Sequence, residues 1–582
     1  MRAAWLGLAV WVLGQGGAAE AADGLAPGHW EGVLKPAAGG SLTMVIHVAK
    51  GDGGGAKATL TIPDQGSVGL PVDGIKVEAG ELAFGLAKLK GEFKGKLNAD
   101  ATEAVGTWTQ LGKATPLTLK RTETPTTLAV PDAILGTWEG KIKVNAGIEI
   151  RLGLKAEKRP DGARVVGFAS PDQGANFLPI NAAALDGAKL SLESKAILAK
   201  YTGTLNDART EIVGEWKQPG GAFPLTLKKT DKLSEPKRQQ TPRPPFSYKS
   251  EDVTYPNESA KITLGATLTI PEGKGPFPTA LLITGSGAQD RDETILGHKP
   301  FAVIADALTR RGIAVLRVDD RGVGKSTGSP VDATSADFAT DVAAGIAYLK
   351  TRPEVDPKRI GLVGHSEGGL IGPMVAAKSP GDVAFLVLLA GTGVNGAEIL
   401  KAQSALILKA IGASDDVLKA QGRLMAEVVA VIAAEKDEKA AASRIEALAK
   451  ASLALLPEAE RKAIGESKAI ESGLGRINSP WFRFFLTFEP KTVLTKVRCP
   501  VLALNGEKDL QVPPGQNLPT IESALKSGGN DRVTTKTLPG LNHLFQHCKT
   551  GAPSEYASTE ETFAPEALAL MGDWIVATTG RK

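Results

Sequence analysis

The residues with the clearest capacity for chemistry form the segment Gly364-His365-Ser366-Glu367-Gly368. It follows a short apolar strand, 360–363, and precedes a helix-compatible run that begins at Leu370. A serine between two glycines at such a strand-to-helix turn is exposed at the edge of a sheet, where its hydroxyl can attack a carbonyl carbon. Because a serine hydroxyl is a weak nucleophile on its own, this prediction requires a base and an acid elsewhere in the chain.

The small number of histidines narrows the choice of base. The chain has six, which are His29, His47, His298, His365, His543 and His547. When a serine on this kind of turn is the nucleophile, the acid and then the histidine follow it along the chain. Only His543 and His547 fit that order, and His543 lies in the loop directly after a predicted strand, 533–538. The sequence therefore predicts His543 as the general base.

The acid is expected in the loop after the predicted strand 501–505. This loop contains Asp509, our first choice, and Glu507, our second. Its task is to hold the imidazole in the right tautomer and to stabilise the imidazolium. His543 and His547 also have the spacing of a metal-binding pair, but no glutamate follows His543 as in a zinc-peptidase helix. We therefore expect no metal and no cofactor.

The elements that must position these residues lie in the second half of the chain. From about residue 250, short apolar strands alternate with helical segments, which predicts a mainly parallel α/β sheet. Between the strands predicted at 385–390 and 501–505, the run 397–450 is rich in Ala, Leu, Glu and Lys with helical periodicity. We predict a helical cap over the active site at about 395–498.

An aromatic cluster closes this predicted cap. Its members include Trp481, Phe482 and Phe485. These side chains either line an acyl pocket beside Ser366 or form the core of the cap against the sheet, and the sequence does not choose between the two.

Five segments in order carry a family resemblance. They are 285–293 (GSGAQDRDE), 319–326 (DDRGVGKS), the serine turn, 505–509 (NGEKD) and 541–543 (LNH). From Leu281 to its end, the chain resembles exported bacterial α/β-hydrolases of the serine aminopeptidase-like (S33-type) and carboxylesterase group. The resemblance implies an oxyanion hole formed by the backbone N–H groups of Ser286 and Glu367, with Thr284-Gly285-Ser286 in place of the commoner His-Gly-x.

The resemblance is specific for fold and catalytic residues but not for substrate. We expect a small-molecule ester substrate with a small or medium acyl chain, cleaved through an acyl-enzyme on Ser366. An aminopeptidase would instead need carboxylates to bind a free α-ammonium group. Candidates in loops near the predicted site are Asp290, Asp292, Glu293 and Glu367. Because Arg291 lies among them and can neutralise them, we place ester hydrolysis first.

The segment 322–327 (GVGKST) ends like a phosphate-binding loop. The first glycine of that motif would fall at position 319, which is Asp. We therefore expect a tight structural turn here.

The front half contains an internal repeat. Trp30-Glu31-Gly32 recurs as Trp138-Glu139-Gly140, an offset of 108 positions (138 − 30) that other matching segments keep. Alternating apolar and polar residues broken by Gly, Asp and Pro predict two copies, 24–124 and 132–232, each an antiparallel barrel or sandwich of about seven or eight strands. Trp30 and Trp108 form either the core, which we favour, or an aromatic face for a ligand. A function as a cell-envelope binding protein acting through these repeats remains an alternative.

The remaining features concern location and partners. Residues 1–22 have the charge and apolar run of a secretory signal peptide, which predicts a periplasmic or extracellular protein. The net charge is +4 and the basic residues are scattered, so we expect no nucleic-acid partner, and no later run is long and apolar enough for a membrane helix. A proline-rich linker is predicted at 233–249, before the catalytic domain, 250–582. Cys499 and Cys548 form either a disulfide or two free thiols.

Overall fold

The computed structural model describes residues 27–580 in two compact units, 27–234 and 238–580. Within these ranges the description omits 36–40, 51–55, 64–66, 87–90, 111–112, 124–129, 146–147, 159–163, 172–174, 195–196, 219–220, 411 and 455–477. The predicted signal peptide, 1–22, lies outside the described residues. None of the helices in the described ranges is long and apolar enough to cross a membrane.

The first repeat forms an antiparallel barrel. Its described strands are β1 (Gly28–Leu34), β2 (Leu42–Lys50), β3 (Ala56–Ile62), β4 (Ser67–Pro71), β5 (Asp73–Glu78), β6 (Glu81–Leu86), β7 (Gly91–Leu97), β8 (Glu103–Gln110) and β9 (Lys113–Thr122). These strands pair in the order β4-β3-β2-β1-β9-β8-β7-β6-β5. The two end strands, β4 and β5, are separated along the chain only by Val72, whose N–H donates to the Ala58 carbonyl of β3 (3.0 Å). One kinked strand therefore closes the sheet on itself and removes both edges.

The second repeat closes in the same way. Its described strands are β10 (Gly136–Asn145), β11 (Ile148–Lys158), β12 (Arg164–Ser170), β13 (Ala175–Pro179), β14 (Ala182–Asp186), β15 (Lys189–Ser194), β16 (Ala199–Leu205), β17 (Glu211–Gln218) and β18 (Gly221–Thr230). The end strands β13 and β14 are joined by Ile180, which donates to Val166 of β12, and Asn181, which donates to Glu193 of β15. The two copies thus share one topology, and the prediction of duplicated β domains is confirmed.

Tryptophans fill the interior of both barrels. Trp30 and Trp108 are each only 2% exposed, and their counterparts Trp138 and Trp216 are at most 1% exposed. The indole N–H of Trp138 donates to the Ile134 carbonyl (2.8 Å). These side chains are core residues, so the alternative of an aromatic ligand face is wrong.

The second unit contains a sheet with the α/β-hydrolase arrangement. Its described strands are β19 (Lys249–Asn257), β20 (Ile262–Ile270), β21 (Phe277–Ile283), β22 (Ala314–Val318), β23 (Val355–His365), β24 (Leu386–Leu389), β25 (Val501–Gly506) and β26 (Val533–Leu538). Their order is β19-β20-β22-β21-β23-β24-β25-β26, and β20 is antiparallel to both of its neighbours whereas the pairs from β22 to β26 are parallel. The predicted fold class is confirmed.

Helices cover both faces of this sheet. The described helices are α1 (Pro300–Arg310), α2 (Ser335–Lys350), α3 (Gly368–Lys378), α4 (Gly396–Ala410), α5 (Asp415–Ala434), α6 (Glu438–Ala454), α7 (Pro480–Thr487), α8 (Lys491–Leu494), α9 (Pro514–Ser527) and α10 (Pro565–Thr579). On β21, Leu281 belongs to a core that includes residues of α2, α3 and α9, whereas Leu282 belongs to a core that includes residues of α1 and α10. Successive side chains of a strand point to opposite faces, so an uninterrupted apolar strand is what a sheet covered on both sides requires.

The predicted cap is helical. Helices α5, α6 and α7 share a small core that includes Val428, Ile445 and Leu486. This cap core is separate from the two cores that lie on either side of the sheet. Such a separation is expected for a cap that lies over a site.

From residue 238 onward, the predicted linker is hydrogen-bonded to the rest of the second unit. Arg238 donates to the carbonyls of Leu296 and Ala557, and Gln240 accepts from the N–H of Phe563 while it donates to that residue's carbonyl. This part of the segment therefore belongs to the second unit.

Candidate active site

Ser366 lies on a sharp turn between β23 and α3. Its φ is +53°, a left-handed conformation that non-glycine residues rarely adopt. Both flanking glycines are sterically required: a Cβ at Gly364 would lie 2.1 Å from the Gly368 carbonyl oxygen, and one at Gly368 would lie 2.2 Å from that of Ile283. Strain of this kind, held by the surrounding structure, is typical of a nucleophile that must project into a site.

Asp509 and His543 are in direct contact. The His543 ring nitrogen Nδ1 donates to Asp509 Oδ2 over 2.8 Å, and both side chains are almost fully buried. The other carboxylate oxygen, Oδ1, accepts from the backbone N–H groups of Gln511 (2.8 Å) and Val512 (2.9 Å). Because Nδ1 carries the proton, Nε2 is left as the acceptor that a general base needs.

The serine turn and the base loop are linked through His365. His365 Nε2 donates to the His543 backbone carbonyl over 3.1 Å, and the two imidazole rings lie 4.9 Å apart between centroids. Since His365 directly precedes Ser366, this bond holds the turn of the predicted nucleophile against the loop of the predicted base.

The predicted oxyanion donors are available. Within the part of the chain that the structure describes, the N–H groups of Ser286 and Glu367 have no hydrogen-bond acceptor. The loop of Ser286 lies against the nucleophile, because a Cβ on Gly285 would be 3.3 Å from the Ser366 Cβ. Unoccupied backbone donors beside a nucleophilic serine are what an oxyanion hole requires.

Asp320 fixes the loop that carries Ser286. Thr284 Oγ1 donates to Asp320 Oδ1 (2.8 Å) and the Gln289 N–H donates to Oδ2 (2.9 Å), so one carboxyl group holds both ends of the loop. Burial, with smaller contributions from the charges of Glu367 and Glu293, raises the pKa of Asp320 to about 8. Beside this loop lies a cavity of about 40 Å³, lined in part by Asp320 and by Tyr255.

Glu367 connects the turn to the cap. Its Oε1 accepts from Ser335 Oγ at the start of α2 (2.6 Å) and from the Trp481 indole of α7 (2.7 Å). Burial raises the pKa of this carboxyl, against the opposing effect of the two hydrogen bonds. The side chain of Glu367 thus has a structural role in addition to the predicted role of its N–H.

The three cap aromatics have different surroundings. Trp481 stacks on Phe485 with centroids 5.3 Å apart and an interplanar angle of 6°, and both remain partly exposed. Phe482 instead packs against the core of the cap. Phe482 therefore contributes to the core of the cap, and Trp481 and Phe485 remain pocket candidates.

Comparison with known proteins agrees with this geometry. Residues 299–547 match the family model described as serine aminopeptidase, S33. The second unit has the α/β-hydrolase fold, and the greater part of it is similar to this S33 family.

Individual relatives match shorter parts of the chain. A segment of 143 residues is 34% identical to esterase EstD of Thermotoga maritima and covers 25% of this chain and 33% of EstD. Another of 70 residues is 43% identical to thiohydrolase apmlB of Arthrinium phaeospermum and covers 12% of this chain and 23% of that protein. The chain thus matches a third or less of the length of these relatives. Among solved structures, the ferulic acid complex of Est1E from Butyrivibrio proteoclasticus matches with a TM-score of 0.34 and 18% identity, over 56% of this chain and 100% of that one.

The second-choice residues of the sequence analysis have other partners in the structure. Glu507 Oε2 accepts from the Gly540 N–H (2.9 Å), and the exposed His547 contacts Glu561 and Glu566. No cluster of three or more metal-ligating side chains occurs among the described residues. The segment 322–327 forms a turn in which the Lys325 N–H donates to Asp319. Cys499 and Cys548 are both free thiols.

The carboxylates that an aminopeptidase would need already have partners in the second unit. Asp292 forms ion pairs with Lys299 and Arg317, and Asp290 accepts from the backbone N–H groups of Asp292 and Thr294. Glu293 and Glu367 are buried and bonded to protein donors. The sequence identified Glu293 and Asp320 within the family segments but gave no reason to place them under the oxyanion loop, since that proximity depends on how β21, β22 and β23 pair.

Proposed function

We propose that this protein is a serine hydrolase that cleaves carboxylic esters of small or medium acyl chains. The observation that carries this proposal is the 2.8 Å bond from His543 to Asp509, which leaves Nε2 of His543 free to act as a base. The loop of His543 is bonded through His365 to the turn that holds Ser366 at φ +53°. The unoccupied N–H groups of Ser286 and Glu367 support it further.

The reaction follows from this arrangement in two halves. Ser366 Oγ attacks the ester carbonyl carbon while its proton passes to His543 Nε2, and the carbonyl oxygen becomes an oxyanion that accepts from Ser286 and Glu367. Each such donor typically lowers the barrier by about 3 kcal/mol. The imidazolium then protonates the departing alcohol and leaves an acyl-enzyme. Water, deprotonated by His543, attacks the acyl carbon and releases the acid.

The burial and the cationic partners of the acidic side chains favour ester cleavage over aminopeptidase activity. An α-ammonium group needs a carboxylate that is both exposed to the site and free of a competing cation. Asp292 has two cationic partners, and Glu293 and Glu367 are at most 5% exposed. An ester needs no such group, and the partly exposed pair Trp481 and Phe485 offers an apolar surface for its acyl chain.

The decisive experiment is a matched pair of assays on the purified protein. One uses p-nitrophenyl esters of increasing acyl length, and the other uses aminoacyl-p-nitroanilides, with Ser366→Ala as the blank for both. Ester turnover without anilide cleavage supports the proposal. Anilide cleavage that requires a free α-amine would replace it with the aminopeptidase alternative.

The different-class alternative is a binding protein that acts through the barrels. Labelling by a fluorophosphonate probe, lost in Ser366→Ala, would establish a working nucleophile, and its absence would favour the binding protein.

We also propose that the protein is exported to the periplasm or beyond the cell, on the basis of residues 1–22. Sequencing the amino terminus of the protein recovered from cell fractions tests this point.

A further inference from the structure

His365 is held between two partners that lie on different segments. Its Nδ1 contacts Glu293 Oε1 at 2.9 Å, and its Nε2 contacts the His543 carbonyl oxygen at 3.1 Å. Glu293 is 5% exposed and His365 is 7% exposed. A histidine–carboxylate pair therefore lies buried beside the Asp509–His543 pair, and the reaction proposed above does not use it.

The partners determine where the protons are. A backbone carbonyl only accepts, so Nε2 of His365 must carry a hydrogen. An ionised carboxylate oxygen also only accepts, so Nδ1 must carry one as well, and the ring is an imidazolium paired with Glu293. Burial alone lowers the pKa of a histidine, but the charge and hydrogen bond of Glu293 outweigh it, and the pKa of His365 is raised. The ionisable groups that act on this ring are Glu293, the neighbouring His543 and, more weakly, Asp509.

Glu293 extends the connection to the oxyanion loop. The same oxygen, Oε1, accepts from the Gly285 N–H over 2.7 Å. Gly285 directly precedes Ser286, so three bonds in series connect the oxyanion loop, the serine turn and the loop of the base. Glu293 itself has φ +51°, a conformation that is unfavourable for an L-residue and is retained where the surroundings demand it.

We propose that the Glu293–His365 ion pair positions the oxyanion hole, by fixing the Ser286 N–H and the His543 loop relative to Ser366. The pair touches neither the substrate nor the reacting atoms, so both members are positioning residues. The inference rests on the serine hydrolase function proposed above. It implies that the pair acts on the transition state, where the oxyanion forms, and has little effect on substrate binding.

Glu293→Gln is the first test, because it retains an oxygen for Gly285 but removes the charge. A neutral His365 can then donate to only one of its two partners. We expect kcat for p-nitrophenyl esters to fall about 10- to 100-fold with KM within twofold, since oxyanion donors act in the transition state. The affinity for phenylboronic acid, which forms a tetrahedral adduct with a nucleophilic serine, should fall by a similar factor. Titration with a fluorophosphonate gives the concentration of intact sites in each preparation.

The matched control is Glu354→Gln. Glu354 directly precedes β23, the strand that ends at His365, and it pairs with Arg352 away from the site. Its substitution should leave kcat, KM and boronate affinity unchanged. A raised KM with unchanged kcat in Glu293→Gln, or an unchanged boronate affinity, would show that the pair only supports the fold.

A second test uses the unaltered protein and therefore does not require that any variant folds. With only six histidines in the chain, ¹⁵N-histidine labelling can resolve the His365 ring, assigned through its contact with the ring of His543. We expect both of its nitrogens to be protonated at pH 7, and a neutral ring would overturn the proposal. If the protein neither hydrolyses esters nor reacts with the fluorophosphonate, the proposed function fails, whereas the NMR result still decides whether the ion pair exists.

Discussion

Trp481 of the cap donates its indole N–H to Glu367 Oε1 over 2.7 Å, and Glu367 is the residue directly after the predicted nucleophile. Ser335 donates to the same oxygen over 2.6 Å. The carboxyl is buried, so each donor compensates part of the cost of removing it from water. The position of α7 is therefore coupled to the backbone segment that contains one of the two proposed oxyanion donors.

Trp481→Phe should consequently impair catalysis. The substitution removes the indole N–H but keeps an aromatic ring against Phe485, so a buried oxygen loses one of its two donors and the turn can shift. We expect kcat/KM for esters to fall about tenfold, the scale of one net hydrogen bond. Steady-state kinetics measure the effect, with Trp574→Phe as the control. Trp574 packs edge-on against Phe385 (6.3 Å between centroids), and its substitution should leave the kinetics unchanged. Equal losses in both variants would contradict the coupling.

Substitutions of Asp509 and Glu507 should show which of these two residues is the catalytic acid. Asp509→Asn removes the charge that holds His543 in its working tautomer, and we expect kcat to fall about 10³- to 10⁴-fold. Glu507→Gln keeps an acceptor for the Gly540 N–H and should change kcat less than about threefold, the range of an exposed hydrogen bond. Both variants can be assayed with one ester under saturating conditions. A large loss in Glu507→Gln together with an active Asp509→Asn would reverse the assignment.

The sequence predicted the serine turn, the strands beside the site and the barrels, because each of these features is encoded by neighbouring residues. The turn at Ser366 depends on Gly364 and Gly368, and Asp509 and His543 lie in the loops that follow the short strands β25 and β26. The alternation of apolar residues in the repeats likewise predicted barrels of about the observed strand number.

Contacts between distant segments were not predictable in the same way. Glu293 reaches His365 across 72 positions and Trp481 reaches Glu367 across 114. No periodicity or spacing encodes such pairs, because they depend on the order of strands in the sheet and on the placement of the cap. For the same reason, the sequence did not show that Arg238 docks a proline-rich segment onto the second unit.

The partly buried Asp320 should make stability depend on pH. Its pKa is about 8 in the folded protein, against 3.8 for an aspartate exposed to water, as in the unfolded chain. The folded chain therefore binds more protons between these values, and the contribution of Asp320 to stability falls as the pH rises from about 4 to 8. Asp320→Asn removes this dependence. The difference in Tm between wild type and variant should therefore shift in favour of the variant as the pH rises from about 5 to 8.

Differential scanning calorimetry of the second unit's transition at several pH values measures this shift. Asp531→Asn, a substitution at an exposed position, should give a difference in Tm that is independent of pH. A pH-independent difference for Asp320→Asn as well would mean that this carboxyl is already ionised near pH 5.

The serine turn should tolerate no side chain at Gly368. A Cβ there would lie 2.2 Å from the Ile283 carbonyl oxygen of β21, so Gly368→Ala must displace either the strand that leads to the oxyanion loop or the turn itself. Overpacking of this kind typically costs about 1–3 kcal/mol. We expect a clear loss in the free energy of unfolding together with loss of fluorophosphonate labelling. Gly515→Ala, in the first turn of α9 with no atom within 4 Å of the added Cβ, should be neutral or slightly stabilising. Urea denaturation of both variants decides the point, and a stable, labelled Gly368→Ala protein would show that the turn is less tightly packed against β21 than these distances require.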